Sequence, residues 1–285
     1  MLFSFPYEAV TFLPIYLAVE KGFFAQEGLH VDYAHALTDS KSKAIKLALT
    51  GEIAFLDGVS TGVEAAVRGW DQVKILCGGV RDPHLLMVSP RIERVADLKG
   101  KKVMAGGGRS INEVLYLCKQ NGWEPGRDIT ILKGGQKDRM EVFQDPSIDA
   151  VAARIQFWHW AQKYGYRRLD YENGQTWYSG GVVTTTRMIQ EEPEVVQKVV
   201  KTYVQSVEYL KKNREDAIQT ILKNVPYLDN EGATGSYDVL QDIWNPALEP
   251  SSLEYMAEVL GVAAGSTYKP SFEDMTDLRF LRDCD

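Results

Sequence analysis

The chain has 285 residues, a formal net charge of −7, 45% hydrophobic residues and 25% charged residues. This length allows two domains with separate apolar cores, and the acidic balance argues against a general nucleic-acid binder, which needs a basic face. The three cysteines and four histidines are scattered, so the sequence indicates neither a metal site nor a disulfide framework.

Short apolar runs alternate with amphipathic stretches over the first half of the chain. The apolar runs predict strands, and the stretches with apolar residues on one side predict helices. In chain order, strands are predicted at 2–5, 29–34, 53–58, 73–80, 84–89, 101–107, 128–135 and 148–154, and helices at 12–24, 39–51, 61–69, 111–122 and 138–145. This alternation is typical of an α/β architecture with mostly parallel sheets.

The rest of the chain is mostly helical. Residues 191–224 carry valines at helical spacing, with Pro193 in the first turn, and further helices are predicted around 239–244 and 252–261. One strand, VVTTTR at 182–187, precedes these helices and needs a sheet to join. The N-terminal sheet is the natural candidate.

If that strand joins the N-terminal sheet, the chain crosses between two units twice, at about 80–82 and 177–181. The sequence therefore predicts one lobe of residues 1–80 plus 181–285, a second lobe of residues 81–180, and a cleft between them.

Six segments, in order, carry a resemblance to a known superfamily. They are PIYLAVEKGFFAQEGLHVDY, LALTGEIAFLDGVSTGVEAAVRG, ADLKGKKVMAGGGRS, PSIDAV, EEPEVVQKVVKTYVQSVEYLKKNREDAI and SFEDMTDLRFLRD. Together they cover nearly the whole chain. The chain resembles solute-binding proteins of ABC transporters in the alkanesulfonate-binding and thiamine-pyrimidine-synthase superfamily.

The resemblance implies the type II periplasmic-binding-protein fold, in which two three-layer α/β lobes are joined by two hinge crossings and close over a ligand. It implies a monomeric, non-catalytic receptor without cofactor or metal, whose partners are a small-molecule ligand and an ABC transporter permease. The expected location is periplasmic, or extracellular with a lipid anchor, if a leader was removed, and cytoplasmic if Met1 is the native start.

A glycine-rich loop, GGGRSINE at 106–113, lies between a predicted strand and a helix that is expected to begin near Ile111. Gly107 and Gly108 allow the backbone to approach a ligand, while Arg109 can contact an anion with two hydrogen bonds. Ser110 and Glu113 fit a capping box, leaving other first-turn amides for an anion. The alternative is an ordinary capped turn with a solvated arginine.

The first lobe has an equivalent loop, LDGVSTGVE at 56–64. Thr61 and Glu64 again fit a capping box, and Gly58, Ser60 and Thr61 are candidates to present N–H and hydroxyl groups across the cleft. The resemblance places a binding loop here. The alternative is simply a capped helix.

The end of the first strand supplies three more candidates. Tyr7, Glu8 and Thr11 lie between strand and helix, where open α/β sheets bind ligands. Tyr7 is a candidate for stacking on the ligand, and Thr11 for capping the helix. A buried Glu8 would disfavour an anion and favour an amine or a pyrimidine-like group, but the side chain is equally compatible with solvent.

The most aromatic stretch, ARIQFWHWAQKYGY at 153–166, follows a predicted strand. Arg154 is a candidate anion ligand and Trp158 a candidate apolar wall of the cleft, as is typical of small-molecule sites. At the second crossing, Tyr178 and Ser179 are candidates to reach the ligand. Gly180 and Gly181 are candidates for the hinge.

Two alternatives to a receptor remain. Synthases of the same superfamily use pyridoxal phosphate and iron, but this chain lacks their CCCFC motif and has Asp57 where they carry the cofactor lysine. A cytoplasmic ligand sensor would need a signalling partner, and no helix-turn-helix flanks the lobes. The arginines favour an anionic head group and the aromatic residues an organic body, which leaves pyrimidine precursors, alkanesulfonates and aromatic carboxylates open.

Overall fold

The computed structural model describes residues 1–5, 8–35, 41–82, 85–106, 109–134, 141–169 and 177–284. The strands in these ranges are β1 (Leu2–Phe5), β2 (Asp32–His35), β3 (Phe55–Asp57), β4 (Val73–Cys77), β5 (Val80–Asp82), β6 (Leu85–Val88), β7 (Lys102–Ala105), β8 (Thr130–Leu132), β9 (Ala150–Ala153), β10 (Arg167–Leu169), β11 (Trp177–Ser179) and β12 (Val182–Thr185).

The helices in the same ranges are α1 (Leu13–Glu20), α2 (Phe23–Gln26), α3 (Lys41–Thr50), α4 (Val59–Val67), α5 (Arg109–Gln120), α6 (Trp158–Lys163), α7 (Thr186–Glu191), α8 (Pro193–Lys212), α9 (Arg214–Asn224), α10 (Asn230–Leu240), α11 (Pro250–Ala264), α12 (Phe272–Met275) and α13 (Arg279–Arg282). Short 3₁₀ turns at Val10–Phe12 and Ile155–Phe157 follow strands β1 and β9.

Two five-stranded sheets organise these elements. The first has the order β2-β1-β3-β12-β4, in which β1 is parallel to β2 and β3, and β12 is antiparallel to β3 and β4. The second has the order β10-β6-β9-β7-β8, in which β7 is parallel to β8 and β9. The predicted α/β architecture and the return of the 182–187 strand to the first sheet are therefore confirmed.

A two-stranded antiparallel ribbon, β5 with β11, links the two sheets. Three glycines allow this ribbon to pack closely. A Cβ atom on Gly79 would lie 2.5 Å from the Ser179 carbonyl oxygen, and one on Gly181 would lie 2.5 Å from the Cys77 carbonyl oxygen. A Cβ atom on Gly180 would lie 2.5 Å from the Thr11 carbonyl oxygen, which brings the ribbon against the segment that follows β1.

Apolar residues from both sheets share one core. Phe3 and Phe5 of β1 belong to the same buried cluster as Met104 of β7, Val151 of β9 and Phe157. Helix α8 adds one apolar side to this cluster with side chains at helical spacing, namely Val196, Val199, Val200, Tyr203 and Val207. Both sheets are thus held together by burial of apolar surface, which is the main stabilising term in folding.

Helix α11 packs against α4 beside the first sheet and against α5 beside the second. Its Tyr255 makes edge contacts with Tyr116 of α5 and Trp177 of β11, at 5.8 and 6.4 Å between ring centroids. Offset and edge-on aromatic pairs of this kind stabilise an interface beyond their buried area. The C-terminal helices therefore help to set the relative position of the two sheets.

Candidate ligand-binding site

Four loops follow the carboxyl ends of strands that are parallel within their sheets. Glu8–Thr11 follow β1 and Gly58–Thr61 follow β3 in the first sheet, while Arg109 follows β7 and Arg154 follows β9 in the second. Open α/β sheets bind ligands outside the carboxyl ends of their strands. Tyr7, Gly107 and Gly108, which were also predicted to contact the ligand, lie outside the described residues.

Arg154 bridges the two sheets. Its Nη1 donates a hydrogen bond of 3.3 Å to the Oγ1 atom of Thr11, a residue that is 1% exposed. Burial lowers the pKa of the guanidinium to about 10, so Arg154 stays positively charged at neutral pH. A guanidinium presents a planar fork of N–H donors that suits a carboxylate or sulfonate, so an arginine at these strand ends is able to bind a negative group.

The structure corrects the predicted role of Thr11 as a helix cap. Thr11 lies within the 3₁₀ turn Val10–Phe12, and α1 begins only at Leu13, with Pro14 in its first turn and no side chain capping it. The Thr11 hydroxyl accepts from Arg154 instead. Proline supplies the helix start without a capping hydroxyl, because its fixed φ angle suits the first turn.

A second cation, Lys41, lies at the first of the two sheets and was not predicted from the sequence. Its Nζ donates a hydrogen bond of 2.9 Å to the Oγ atom of Ser60, in the first turn of α4. Burial lowers the pKa of Lys41 below its ordinary 10.5, and the negative charge of Glu64 opposes that shift. In the sequence Lys41 stands beside other lysines, and only the packing of α3 against α4 distinguishes it.

We expect a Lys41→Met variant to have a higher free energy of unfolding than the native protein at pH 7. The unfolded chain binds this proton more tightly than the folded one, so Lys41 destabilises the fold below its lowered pKa, and this cost disappears as the pH rises to 10.5. The gain in unfolding free energy of Lys41→Met over the native protein should therefore decrease between neutral pH and pH 10.5. Urea unfolding followed by tryptophan fluorescence measures it.

The matched control is Lys46→Met, which removes an exposed lysine from the same helix. It should leave the unfolding free energy nearly unchanged across that pH range. A Lys41→Met increment that is absent at pH 7, or that grows with pH, would contradict the buried-cation interpretation.

The predicted capping box at Thr61 and Glu64 is wrong. Helix α4 begins at Val59 with Gly58 as its N-cap, at φ 105°, and no side chain caps it. Glu64 instead accepts a hydrogen bond from Arg68, and Thr61 is a buried first-turn residue. A positive φ angle at the cap explains why glycine stands there rather than serine or threonine.

The amides at the start of α4 bond to the two glycines that follow β11. The Val59 N–H donates to the Gly180 carbonyl oxygen at 2.8 Å, and the Gly58 N–H donates to the Gly181 carbonyl oxygen at 3.4 Å. The Gly58 N–H, which was predicted to face the ligand, is therefore directed at the β5–β11 ribbon and its flanking glycines; Val59 was not among the predicted residues. Ser60, through its hydroxyl and its lysine partner, is the polar group that remains at this loop.

The predicted capping box at Ser110 and Glu113 is also wrong. Helix α5 begins at Arg109, so Ser110 lies inside the first turn and is 6% exposed. The Arg109 Nε donates to the Glu113 Oε1 at 2.9 Å, with side-chain exposures of 9% and 2%. The guanidinium also lies 5.0 Å from the ring centroid of Trp177, on the hinge ribbon.

The contacts of Arg109 give it a structural role. Its charge is matched by a buried carboxylate on the same helix and it packs on an aromatic ring, an arrangement that stabilises a cation away from water. The prediction that Arg109 contacts an anion remains untested, but Arg154 is the arginine that joins the two sheets at the strand ends.

A hydrogen-bond chain runs from the second sheet to the first through Tyr227, which the sequence did not single out. The Gln156 Nε2 donates to the Tyr227 hydroxyl, which donates in turn to the Glu8 carbonyl oxygen at 3.2 Å. The rings of Tyr227 and Phe157 are stacked, with an interplanar angle of 6°. Trp158, the predicted cleft wall, is half-buried at the start of α6 and packs on the shared core.

Tyr178 and Ser179, which were predicted to reach the ligand, belong to the hinge ribbon. Tyr178 is 0% exposed, and its hydroxyl accepts hydrogen bonds from the Glu249 N–H at 3.1 Å and from the Arg81 Nε at 3.4 Å. Ser179 pairs with Val80 in the ribbon and is 6% exposed. Tyr178 therefore uses its hydroxyl to tie α11 to the hinge.

Two of the three cysteines are poorly placed for nucleophilic chemistry. Cys77 and Cys118 are buried in apolar clusters, and burial raises the pKa of the Cys118 thiol, which disfavours the reactive thiolate. In the described ranges, no group of three or more histidine, cysteine, aspartate and glutamate side chains is arranged to hold a metal ion. Nor does any helix there have the length and apolarity needed to cross a membrane.

The chain shares its fold with solved solute-binding proteins. It is 17% identical to the periplasmic aliphatic sulphonate-binding protein SsuA of Escherichia coli, with a TM-score of 0.72 over 97% of this chain and 90% of that one. The alkanesulfonate-binding protein SsuA of Xanthomonas axonopodis pv. citri, bound to MOPS, is also 17% identical, with a TM-score of 0.70 over 97% and 96%. These matches show the periplasmic-binding-protein fold.

An enzyme has the same fold. The desulfurization enzyme DSZB is 13% identical to this chain, with a TM-score of 0.69 over 100% of this chain and 98% of that one. The fold alone therefore does not separate a receptor from an enzyme.

Sequence comparison assigns the family. No curated protein sequence matches the chain. The sequence profile described as "NMT1/THI5 like", however, matches residues 9–217. This segment spans most of the chain and includes both Thr11 and Arg154, and it agrees with the resemblance found in the sequence. The chain belongs to the NMT1/THI5-like family.

Proposed function

We propose that the chain is a solute-binding protein that captures a small organic anion in the cleft between its sheets and delivers it to an ABC importer. In this proposal the lobes are residues 1–80 plus 181–285 and residues 81–180, and the β5–β11 ribbon is the hinge. The partner is a transporter permease, and the receptor acts as a monomer outside the membrane. The chain itself is not an enzyme.

The observation that carries this proposal is the Arg154–Thr11 contact. A guanidinium at the carboxyl end of β9 reaches a hydroxyl beyond the carboxyl end of β1, so the cation lies where the two sheets meet. A negative ligand at this position would bond to Arg154 and also touch the opposite lobe. Binding of the ligand would then favour the closed arrangement, because only that arrangement supplies both sets of contacts.

Lys41 supports the same ligand charge. Its ammonium lies against the first turn of α4, so a half-buried cation lies on the side of each sheet, Lys41 with the first and Arg154 with the second. Both cations have pKa values lowered by burial, which means that the folded chain holds their charged forms less favourably than the unfolded chain does. Perturbed pKa values of this kind are common at functional sites.

The free energy needed for micromolar binding indicates that the ligand has an organic part. Hydrogen bonds to charged groups contribute about 1.5–3 kcal/mol each, whereas micromolar binding requires about 8 kcal/mol. Apolar contact must supply the remainder, and the half-buried rings of Trp158 and Tyr227 are the aromatic surface available near Arg154. We therefore favour an anion with an aromatic or heteroaromatic body over a small inorganic ion.

A pyridoxal-phosphate enzyme is the second candidate, and Lys41 is the observation that favours it. A lysine whose pKa is lowered by burial is the kind of amine that forms a Schiff base with that cofactor. The test is to add pyridoxal phosphate, reduce any Schiff base with borohydride and measure the mass of the protein by mass spectrometry. We expect no covalent adduct at Lys41, and a stoichiometric adduct would favour the enzyme.

The receptor is tested by a thermal-shift screen of alkanesulfonates, aromatic carboxylates and pyrimidine carboxylates against their uncharged amides and alcohols. A ligand present at about 100 times its dissociation constant stabilises the fold by about 2.7 kcal/mol. We expect some of the anions, and none of the matched neutral compounds, to raise the melting temperature. An equal response to both sets, or no response to any anion, would overturn the proposal.

A further inference from the structure

Gln156 has a buried amide oxygen that no described residue satisfies. The residue is 1% exposed and lies in the turn that follows β9, two positions beyond Arg154. Its Nε2 donates to Tyr227, but its Oε1 has no hydrogen-bond donor within the described part of the chain. A buried acceptor without a donor is rare in folded proteins, and it needs a partner that the described part of the chain does not supply.

The neighbouring bonds determine which way this amide points. The Tyr227 hydroxyl has one proton, which it donates to the Glu8 carbonyl oxygen at 3.2 Å. It must therefore accept the other hydrogen bond, and only the Nε2 end of Gln156 can donate it. The Oε1 end is thereby left as the unsatisfied atom, in the same turn as the proposed anion-binding Arg154.

We propose that Gln156 Oε1 accepts a hydrogen bond from the ligand, so that the ligand carries an N–H or O–H donor in addition to its negative group. This inference rests on the proposed receptor function and deepens it: the preferred class is an amino- or hydroxy-substituted organic acid rather than a plain one. A site built to hydrogen-bond such a donor discriminates strongly against the analogue that lacks it, because the buried acceptor is then left unpaired.

The test compares compounds that differ only in this donor. The 2-, 3- and 4-aminobenzoates are titrated against the methylbenzoates of the same shape, and the aminobenzenesulfonates against the toluenesulfonates, with calorimetry as the readout. In the native protein at least one amino compound should bind about 10-fold more tightly than its methyl partner, which corresponds to 1.4 kcal/mol. In Gln156→Met the same ratio should fall to within about twofold.

Gln197→Met is the matched control, because Gln197 donates its amide to the Phe280 carbonyl oxygen at 3.0 Å, away from the cleft. It should keep the native ratio. If Gln156→Met does not fold, Tyr227→Phe replaces it: without the hydroxyl the Gln156 amide can rotate, and the amino preference should decrease. An unchanged ratio in the Gln156 variant, or in Tyr227→Phe where that variant stands in, overturns the inference.

The failures of the two proposals are distinguishable. If the acids bind through Arg154 but amino and methyl partners bind equally to the native protein, only the inference about Gln156 is wrong, and a buried water satisfies Oε1. If no organic acid of any series binds, the receptor proposal fails and the inference fails with it.

Discussion

An Arg154→Met variant should bind organic anions at least about 100-fold more weakly than the native protein, a loss of about 2.7 kcal/mol. Removing one member of a desolvated, hydrogen-bonded charge pair costs about 2–5 kcal/mol, because the remaining charge is left buried and unpaired. In the native protein the guanidinium already lies at the junction of the two sheets, 3.3 Å from the Thr11 hydroxyl. The measurement is calorimetric titration with the anion that gives the largest thermal shift.

The stability of the same variant separates function from folding. Burial lowers the pKa of Arg154 to about 10, so the native fold holds this cation at a cost. Arg154→Met should therefore not decrease the free energy of unfolding in the absence of ligand. Weaker binding with undiminished stability is the expected pair of results, whereas a large loss of both would indicate that Arg154 mainly supports the fold.

Two further variants complete the test. Arg154→Lys keeps the charge but loses the planar fork, so it should bind with intermediate affinity. Arg167→Met removes an exposed arginine of β10, in the same sheet as β9, whose guanidinium donates to the Ile92 carbonyl oxygen, and this variant should bind normally. An Arg154→Met affinity within about twofold of the native value would exclude Arg154 as the anion ligand.

The second large effect concerns the hinge. A Gly181→Ala variant should lose about 3 kcal/mol or more of unfolding free energy. Gly181 has φ 97°, and a Cβ atom there would lie 2.5 Å from the Cys77 carbonyl oxygen and 2.9 Å from the Val59 Cγ2. Backbone strain and overpacking therefore act together. Urea unfolding followed by circular dichroism measures the change.

Gly126→Ala isolates the backbone strain. Gly126 has a similar φ of 89°, but no atom lies within 4 Å of the position that its Cβ would occupy. This variant should lose only the left-handed backbone penalty, about 1–2 kcal/mol. Equal losses in the two variants would mean that the ribbon relaxes easily and that close packing at Gly181 contributes little.

The fold could be predicted because its signals are local. Alternating apolar runs and amphipathic stretches specify strands and helices through their different periods, and the lone strand at 182–187 needed a sheet in which to bury its valines. Its pairing with β3 and β4 follows from that need. The order of the family segments along the chain added the same conclusion independently.

The helix starts were predicted less well. Both proposed capping boxes matched the Ser/Thr-x-x-Glu pattern, yet each helix begins about two residues earlier, at Val59 and Arg109. The glutamates have arginine partners on their own helices instead, Glu64 with Arg68 and Glu113 with Arg109. Because side chains four residues apart meet on a helix, an ion pair competes with the cap, and the spacing alone does not decide between them.

By itself, the sequence determined the α/β class, the order of the elements and the strand ends at which a ligand site was expected, since these depend on periodicity and on the direction of the chain. The tertiary structure alone decided which polar groups meet there. Arg154 and Thr11 are 143 residues apart in the chain, and Gln156 and Tyr227 are 71 residues apart. Such pairs are set by how two sheets and the C-terminal helices pack together, and packing of that range leaves no local pattern in the sequence.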